Sequence, residues 1–533
     1  MEEAFHLVTR LLMIGLDAAE GSLIREWMAA GYLPYLQSLM GEGTLAKLCS
    51  PAYEFPDLVW PTIYTSLGPA RLGRYYYIQL QPEEWSLKLL EDKLHGTPFW
   101  VQASRQGKRC IVLDAPKTTL SEPFDGMQLA AWGAHASHGE TASQPPDLLQ
   151  DILARHGPYP LHSCDSHGRS PKDYALLRRQ LLDGIEARRK LFSDLLTSSR
   201  WDLALVGFSE THCAGHQFWH WHDPGHPLHD PQDRFGLRNA LRDIYQAVDT
   251  AIGTLLEVAG PQTGVIVFSG HGMRPQYHGR ELLPALLEMW GMLGDENVAP
   301  DPSRRQRVMV RKSLGKRLRE KIPMPWQYAV KKMLPAPIEH YLICRFMGAE
   351  RLDPNARAVY IPNNDLNTSI RINLIGRDRY GRVSPGEEYE KLCNFVAERL
   401  RELINPATGR PAVECVTRVS AQYEGEFLNV LPDLTVLWNA DHSIDALESP
   451  GYGTVIGSHN DLRTGGHAPD GFLMASRSLS ARLNLEGADD KDIAPTVLQL
   501  LDAPIPASME GRSLVHTPEA AAPSRSVASK SGQ

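Results

Sequence analysis

Leu11-Leu-Met-Ile-Gly-Leu16, followed at once by Asp17, is the stretch that decides the fold. The run is too short to span a membrane and lacks the polar alternation of a strand with one wet face. It fits a strand covered on both faces, as in a parallel sheet between helices. Asp17-Ala-Ala-Glu20 makes the turn, and Leu23, Ile24, Trp27 and Met28 then recur at helical spacing. The same rhythm continues along the chain. Cys110–Leu113, Leu203–Phe208, Gly264–Phe268 and Leu434–Trp438 are short apolar runs, while Ile244–Val258 and Tyr389–Leu403 carry helical periodicity. Strands alternating with helices predict a mostly parallel α/β sheet. Each run ends in polar, ionisable or glycine residues, and open α/β sheets build their sites at the carboxyl ends of strands.

Composition narrows the class. With 42% hydrophobic and 22% charged residues over 533 positions, the chain is too polar for a polytopic membrane protein and too apolar for a disordered one. The 55 basic and 63 acidic residues leave a net charge of −8, so no nucleic-acid polymer is expected as a partner. The seven cysteines, Cys49, Cys110, Cys164, Cys213, Cys344, Cys393 and Cys415, are scattered and form no Cys-x-x-Cys pair. That argues against a disulfide framework and for a reducing compartment. The opening MEEAFHLVTR is acidic and lacks the basic region of a signal peptide, so the expected location is cytoplasmic.

One segment breaks the rhythm. Ser303 to Arg345 holds 12 Lys/Arg against two Glu, a local charge of +10, with apolar residues such as Leu314, Leu318 and Ile322 at intervals and Pro323 and Pro325 within it. It predicts an inserted basic helical cap over 280–358, flanked by two parts of one catalytic core, 8–279 and 359–515. The tail 516–533, rich in Ala, Ser and Pro, is expected to be disordered. A cap of this charge suits an anionic substrate, or peripheral contact with an anionic membrane face through 303–345.

The ionisable residues at strand ends form an ordered set. Asp17 ends the first strand; His212 and His216 follow Leu203–Phe208; His271 follows Gly264–Phe268; His467 lies in Gly465-Gly-His-Ala-Pro-Asp-Gly471. A His pair at i, i+4 sits on one face of a helical turn and can chelate one metal ion. Imidazole suits zinc or iron, while a carboxylate is a harder ligand.

Taken in order, these pieces resemble the alkaline phosphatase superfamily, in its type I phosphodiesterase/nucleotide pyrophosphatase branch. Phe208-Ser-Glu-Thr-His212 with His216 is similar to the family's Asp-x-x-x-His segment, Ser269-Gly-His-Gly-Met273 to its Ser-Asp-His-Gly-Met, and Gly466-His467-x-Pro-Asp-Gly471 to its last ligand motif. Ile372-Asn-Leu-x-Gly-Arg377 with Pro432-Asp-Leu434, and Asp492-Ile-Ala-Pro-Thr-Val497, resemble its second half and closing helix. The resemblance implies a three-layer α/β sandwich and two adjacent metal positions. His212, His216 and His467 would form one, Asp17 and His271 the other. Paired cations suit phosphoryl or sulfuryl transfer.

The departures matter as much. His212 stands where the family has a carboxylate, and Gly270 where it has a metal-ligating Asp, so the second position is expected to be weak and the first well formed. The expected ion is divalent, zinc first, with iron or manganese as alternatives. The family's nucleophilic Thr falls on Val59 when aligned on Phe55-Pro56 and Trp60-Pro61, or on Pro56 without gaps. Neither can attack. Thr62 is the first choice for a side-chain nucleophile, Asp57 the second, and hydroxide generated at the metal the third option. Thr62 and Thr65 equally suit a helix cap. Glu210 is placed to orient a ligand, and Lys117, Arg274, Asn373 and Arg377 to meet an anionic substrate. The expected activity is metal-dependent hydrolysis of small phosphoric or sulfuric esters, diesters first. Same-fold transferase, lyase or isomerase chemistry, or a degenerate site, are the alternatives.

Overall fold

The computed structural model describes residues 10–41, 44–90, 95–133, 140–161, 163–166, 168–293, 306–310, 322–323, 326–327, 330, 333–347, 352–363, 366–457 and 463–516. Eight strands make the central sheet. They are β1 (Arg10–Leu16), β2 (Thr44–Leu48), β3 (Cys110–Leu113), β4 (Gly126–Ala130), β5 (Ala142–Gln144), β6 (Leu203–Phe208), β7 (Thr263–Ser269) and β8 (Gly471–Ala475), in the order β2-β8-β7-β1-β6-β3-β4-β5. The five central strands, β7 to β4 in that order, are parallel, and β8 and β5 are antiparallel to their inner neighbours.

The run that opens the chain explains the layering. Leu12, Ile14 and Leu16 point into one buried cluster, and Leu11 and Met13 into another on the opposite face. Among the helices, α1 (Val59–Thr65) and α5 (Ile493–Leu500) cover the second face; α2 (Pro171–Ser198), α3 (Glu210–His222) and α4 (Ala240–Ala259) cover the first. The result is a helix–sheet–helix sandwich whose middle strand is buried on both sides. Strand β1 sits between β6 and β7, which arrive from different parts of the chain, so its carboxyl end lies at a switch point of the topology.

The second part of the chain departs from expectation. Among the described residues of this part, only β8 returns to the main sheet. Strands 358–361, 367–372, 413–418 and 434–438 form a separate antiparallel sheet with its own core, packed by the helix Glu387–Arg401. Leu434–Trp438, expected in the parallel sheet, is a member of this one. A short apolar run states burial on both faces and nothing about its partners. Arg377 and Asp433, singled out in the sequence, are a bidentate pair at 2.7 and 2.9 Å that ties this sheet together. Asn373 donates to the Pro354 and Ala356 carbonyls, and Arg274 to Glu414 and the Trp438 carbonyl.

Ten of the 12 Lys/Arg of the basic block 303–345 lie outside the described residues, as do Pro325 and the tail from residue 517. Within it, Gln306–Met309 is a strand paired in parallel with Gly453–Ile456 rather than helix. Helix is also described there, over Ala336–Met347 and at Trp326, Gln327, Val330 and Met333. Among the described residues no helix is long and apolar enough to cross a membrane, and all seven cysteines are free.

Candidate active site

Three chain segments deliver the predicted residues to the carboxyl ends of β6, β1 and β7. Strand β6 runs into α3 through Ser209, and the i, i+4 spacing places His212 and His216 on one face of the helix. The first turn of α3 is tied to β1 by Thr211 Oγ1, which donates to the Asp17 carbonyl at 2.6 Å. His467 comes from the strand Gly465–Ala468, paired antiparallel with Gly272–Pro275 just after β7, in a register that sets Met273 opposite His467. A side chain at Gly465 would run into the Gly215 carbonyl; glycine there lets the strand approach α3 closely.

The imidazoles converge. His212 Nε2 lies 2.8 Å from His467 Nε2 and 3.1 Å from His216 Nε2. His212 and His216 are buried and His467 is half-buried, with one ligand atom of each within 4.8 Å of the others. His216 Nδ1 is 2.6 Å from the Gly465 carbonyl, which can only accept, so that nitrogen carries the proton and Nε2 presents its lone pair to the cluster. A single Nε2–H on His212 cannot donate well to two imidazoles at once. A shared cation satisfies all three lone pairs, and tetrahedral ligands about 2.0–2.1 Å from zinc stand roughly 3.3 Å apart, close to these separations. The donor set therefore fits a zinc-like ion, with the Gly465 carbonyl fixing one ligand's tautomer.

Asp17 and His271 border this cluster without joining it. The His271 ring centroid is 4.6 Å from that of His467 and 6.5 Å from that of His212. Asp17 Oδ1 accepts a hydrogen bond from Trp60 Nε1 at 2.7 Å, and Trp60 packs over Gly15 so closely that a Cβ there would collide with the indole.

The two departures from the family pattern meet in space. A Cβ built on Gly270 would lie well inside van der Waals contact of Val59 Cγ1, 2.9 Å from Ile63 Cδ1 and 3.1 Å from Asp490 Oδ1. Val59 and Ile63 thus fill the volume into which an aspartate at 270 would project. Asp490 is buried beside it, and burial holds its carboxyl well above the usual carboxylate range. Gly270→Asp alone should therefore overpack the site and lower stability by about 1–3 kcal/mol. The double variant Val59→Ala/Gly270→Asp should recover most of that loss in thermal melts. Equal melting temperatures for the parent and the Gly270→Asp variant would show that the neighbours yield freely.

The nucleophile candidates occupy different settings. Thr62 is one turn into α1, 1% exposed, with Oγ1 making no hydrogen bond; it is inside the helix, not its cap. Thr65 Oγ1 is bonded to the Pro61 carbonyl. Asp57, just before α1, is 2.5 Å from Lys117 Nζ and 3.8 Å from Arg74 Nη2. Glu210 does not orient a histidine. It is buried and accepts from Arg188 Nε at 2.7 Å and Tyr159 Oη at 2.5 Å.

Sequence reasoning missed several residues. Trp60 anchors Asp17. Arg463 stands with Nη1 3.2 Å from His216 Nε2 and is gripped by Asp165. It falls four residues before His467 in a polar stretch with no periodicity, so only its nearness to a ligand motif marks it.

A mostly parallel sheet with Asp and His at the carboxyl ends of three adjacent strands agrees with the α/β arrangement that the resemblance to the alkaline phosphatase superfamily implies. The chain belongs to the type I phosphodiesterase / nucleotide pyrophosphatase family, whose model matches residues 11–327. Membership supports a phosphoryl hydrolase of the phosphodiesterase/pyrophosphatase type. No curated protein matches the chain in sequence. Solved structures similar to it include phosphonoacetate hydrolase from Sinorhizobium meliloti 1021 in complex with phosphonoformate, at 13% identity and TM-score 0.47, covering 93% of this chain and 95% of that one. Human ectonucleotide pyrophosphatase/phosphodiesterase 5 is similar at 10% identity and TM-score 0.46, covering 95% of this chain and all of that one.

Proposed function

We propose that the chain is a metal-dependent hydrolase of small phosphoric esters, phosphodiesters first, that works with one divalent ion, zinc before iron or manganese, held by His212, His216 and His467. The convergence of the three Nε2 atoms carries this reading. An ion there would supply Lewis-acid charge to a phosphoryl oxygen and lower the pKa of water. The chain's own residues do the rest. His216 is held in the ligating tautomer by the Gly465 carbonyl. Val59 and Ile63 wall off the neighbouring position, so Asp17 and His271 border the reacting group from the side of β1 and β7. Thr62 remains the side-chain candidate for attack, as a buried hydroxyl with no hydrogen bond to give up; Asp57 is engaged by Lys117.

The test is turnover of aryl phosphodiesters, phosphomonoesters and sulfate esters by protein loaded with zinc, iron or manganese. Diesterase activity that disappears on chelation is the expected result; activity on none of the three ester classes would sink the reading. Thr62→Ala should lower turnover roughly a hundredfold at unchanged zinc content, the scale of losing a positioned reacting group. Undiminished turnover would hand the attack to water or to Asp57.

A further inference from the structure

Arg463 is built into the flank of the histidine cluster in a way that a simple surface ion pair is not. Its side chain is only 13% exposed. Asp165 accepts from Nη2 at 2.7 Å and from Nε at 3.3 Å, a side-on grip that turns the Nη1 edge toward His216 Nε2, 3.2 Å away. Asp165 is itself fixed by Gln217 Nε2 at 3.0 Å, and Gln217 by Arg169 at 2.5 Å, so the guanidinium is referenced to α3, the helix that carries His212 and His216. It approaches from the His216 side, whereas His271 contacts His467 and His212. A wall continues from it. Tyr77 has both Arg463 and Lys117 as cationic neighbours, and Lys117 Nζ stands 5.5 Å from the Tyr77 ring centroid.

A guanidinium against a metal-ligating nitrogen repels the ion bound there. An anion bridging the two turns the conflict into a clamp, and the planar fork of arginine matches phosphoryl oxygens. We propose, resting on the one-ion reading above, that Arg463 is a catalytic residue. In this assignment Nη1 donates to a non-bridging oxygen of the phosphoryl group at the three-histidine cluster, supplying on the His216 side charge stabilisation beyond that of a single ion. Asp165 is its positioning residue.

The experiment compares parent, Arg463→Gln, Arg463→Lys and Asp165→Asn. It measures inorganic phosphate binding by calorimetry on zinc-loaded protein, zinc affinity by chelator competition, and kcat on an aryl phosphodiester. Arg463→Gln should bind phosphate at least tenfold more weakly and zinc severalfold more tightly, and lose roughly 100- to 1,000-fold in kcat, the range for removing one preorganised donor. Arg463→Lys should regain part of the phosphate affinity with little kcat, because a point charge cannot reproduce the fork. Asp165→Asn should lower kcat with a smaller change in phosphate affinity. Phosphate affinity and kcat within twofold of the parent in Arg463→Gln, weaker zinc binding in that variant, or no phosphate binding by the parent would each overturn the assignment. Failure of the one-ion reading shows separately, as parental zinc that does not depend on His216.

Discussion

Replacing His216 with alanine should strip the ion from the histidine cluster and abolish turnover. His216 donates through Nδ1 to the Gly465 carbonyl and meets His212 through Nε2, so it links α3 to the strand Gly465–Ala468 as well as offering a lone pair. Losing an outer partner of a metal ligand typically costs 10–100-fold in affinity; losing the ligand should cost at least about 100-fold. Zinc content after dialysis should fall from one equivalent per chain to nearly none. Ligand binding at 100 times Kd stabilises a folded chain by about 2.7 kcal/mol, so the zinc-induced rise in melting temperature should vanish with it. His271→Ala is the control, since His271 borders the cluster through ring contacts with His467 and His212 and should leave zinc content unchanged. Equal zinc loss in both variants would mean that the ion sits between them and that the three-histidine assignment is wrong.

The second large effect concerns folding. Arg188 lies in the middle of α2 with no exposed side-chain surface and sits between Asp114 and Glu210, both equally buried. Its guanidinium also donates to the carbonyls of Gly207 and Gly133 and to Ser209 Oγ. Burial pulls its pKa down, but Glu210 and Asp114 raise it further, so it stays charged. Arg188→Ala would leave two carboxylates buried without their cation. Breaking a buried ion pair in this way costs about 3–5 kcal/mol, a large share of a typical stability of about 5–15 kcal/mol. Urea melts should register that loss, and zinc affinity should drop with it because Glu210 opens α3. Replacing Arg188, Asp114 and Glu210 together by apolar residues should be far less harmful, since desolvation of the charges disappears as well. A single variant as stable as the parent would show the network to be dispensable.

The parts of the molecule that could be read from sequence are those whose signal is local. The unbroken apolar run before Asp17, and its counterparts before Ser209 and after Thr263, specify β1, β6 and β7, and residues at the ends of these strands are those brought together. The i, i+4 spacing of His212 and His216 needs only a helix to become a chelate. Pairing partners are not local. Leu434–Trp438 has the composition of a core strand, yet it pairs with 367–372 and 413–418 in another sheet. Arg188 sits in Glu186-Ala-Arg-Arg-Lys190, which looks like a solvated helix face, and only the fold shows that one of these charges points inward. The same holds for Glu210, whose neighbour in sequence is His212 but whose partner in space is Arg188. The contact between Val59 and Gly270 joins two substitutions that looked unrelated along the chain.

The histidine cluster also has a mechanical side. His212 and His467 are 255 residues apart in sequence, and the whole antiparallel sheet lies between them. The returning segment is held by main-chain pairing, as Gly465–Ala468 on Gly272–Pro275 and then β8 on β7, and by side-chain ties such as His216 to the Gly465 carbonyl and Arg463 to Asp165. An ion ligated from both sides would act as a removable cross-link across that long excursion, holding the end of the chain against its middle. The same three side chains that serve the chemistry would then add a metal-dependent tie between the middle of the chain and its end, alongside contacts such as Tyr423 to Glu54 and Arg274 to Glu414.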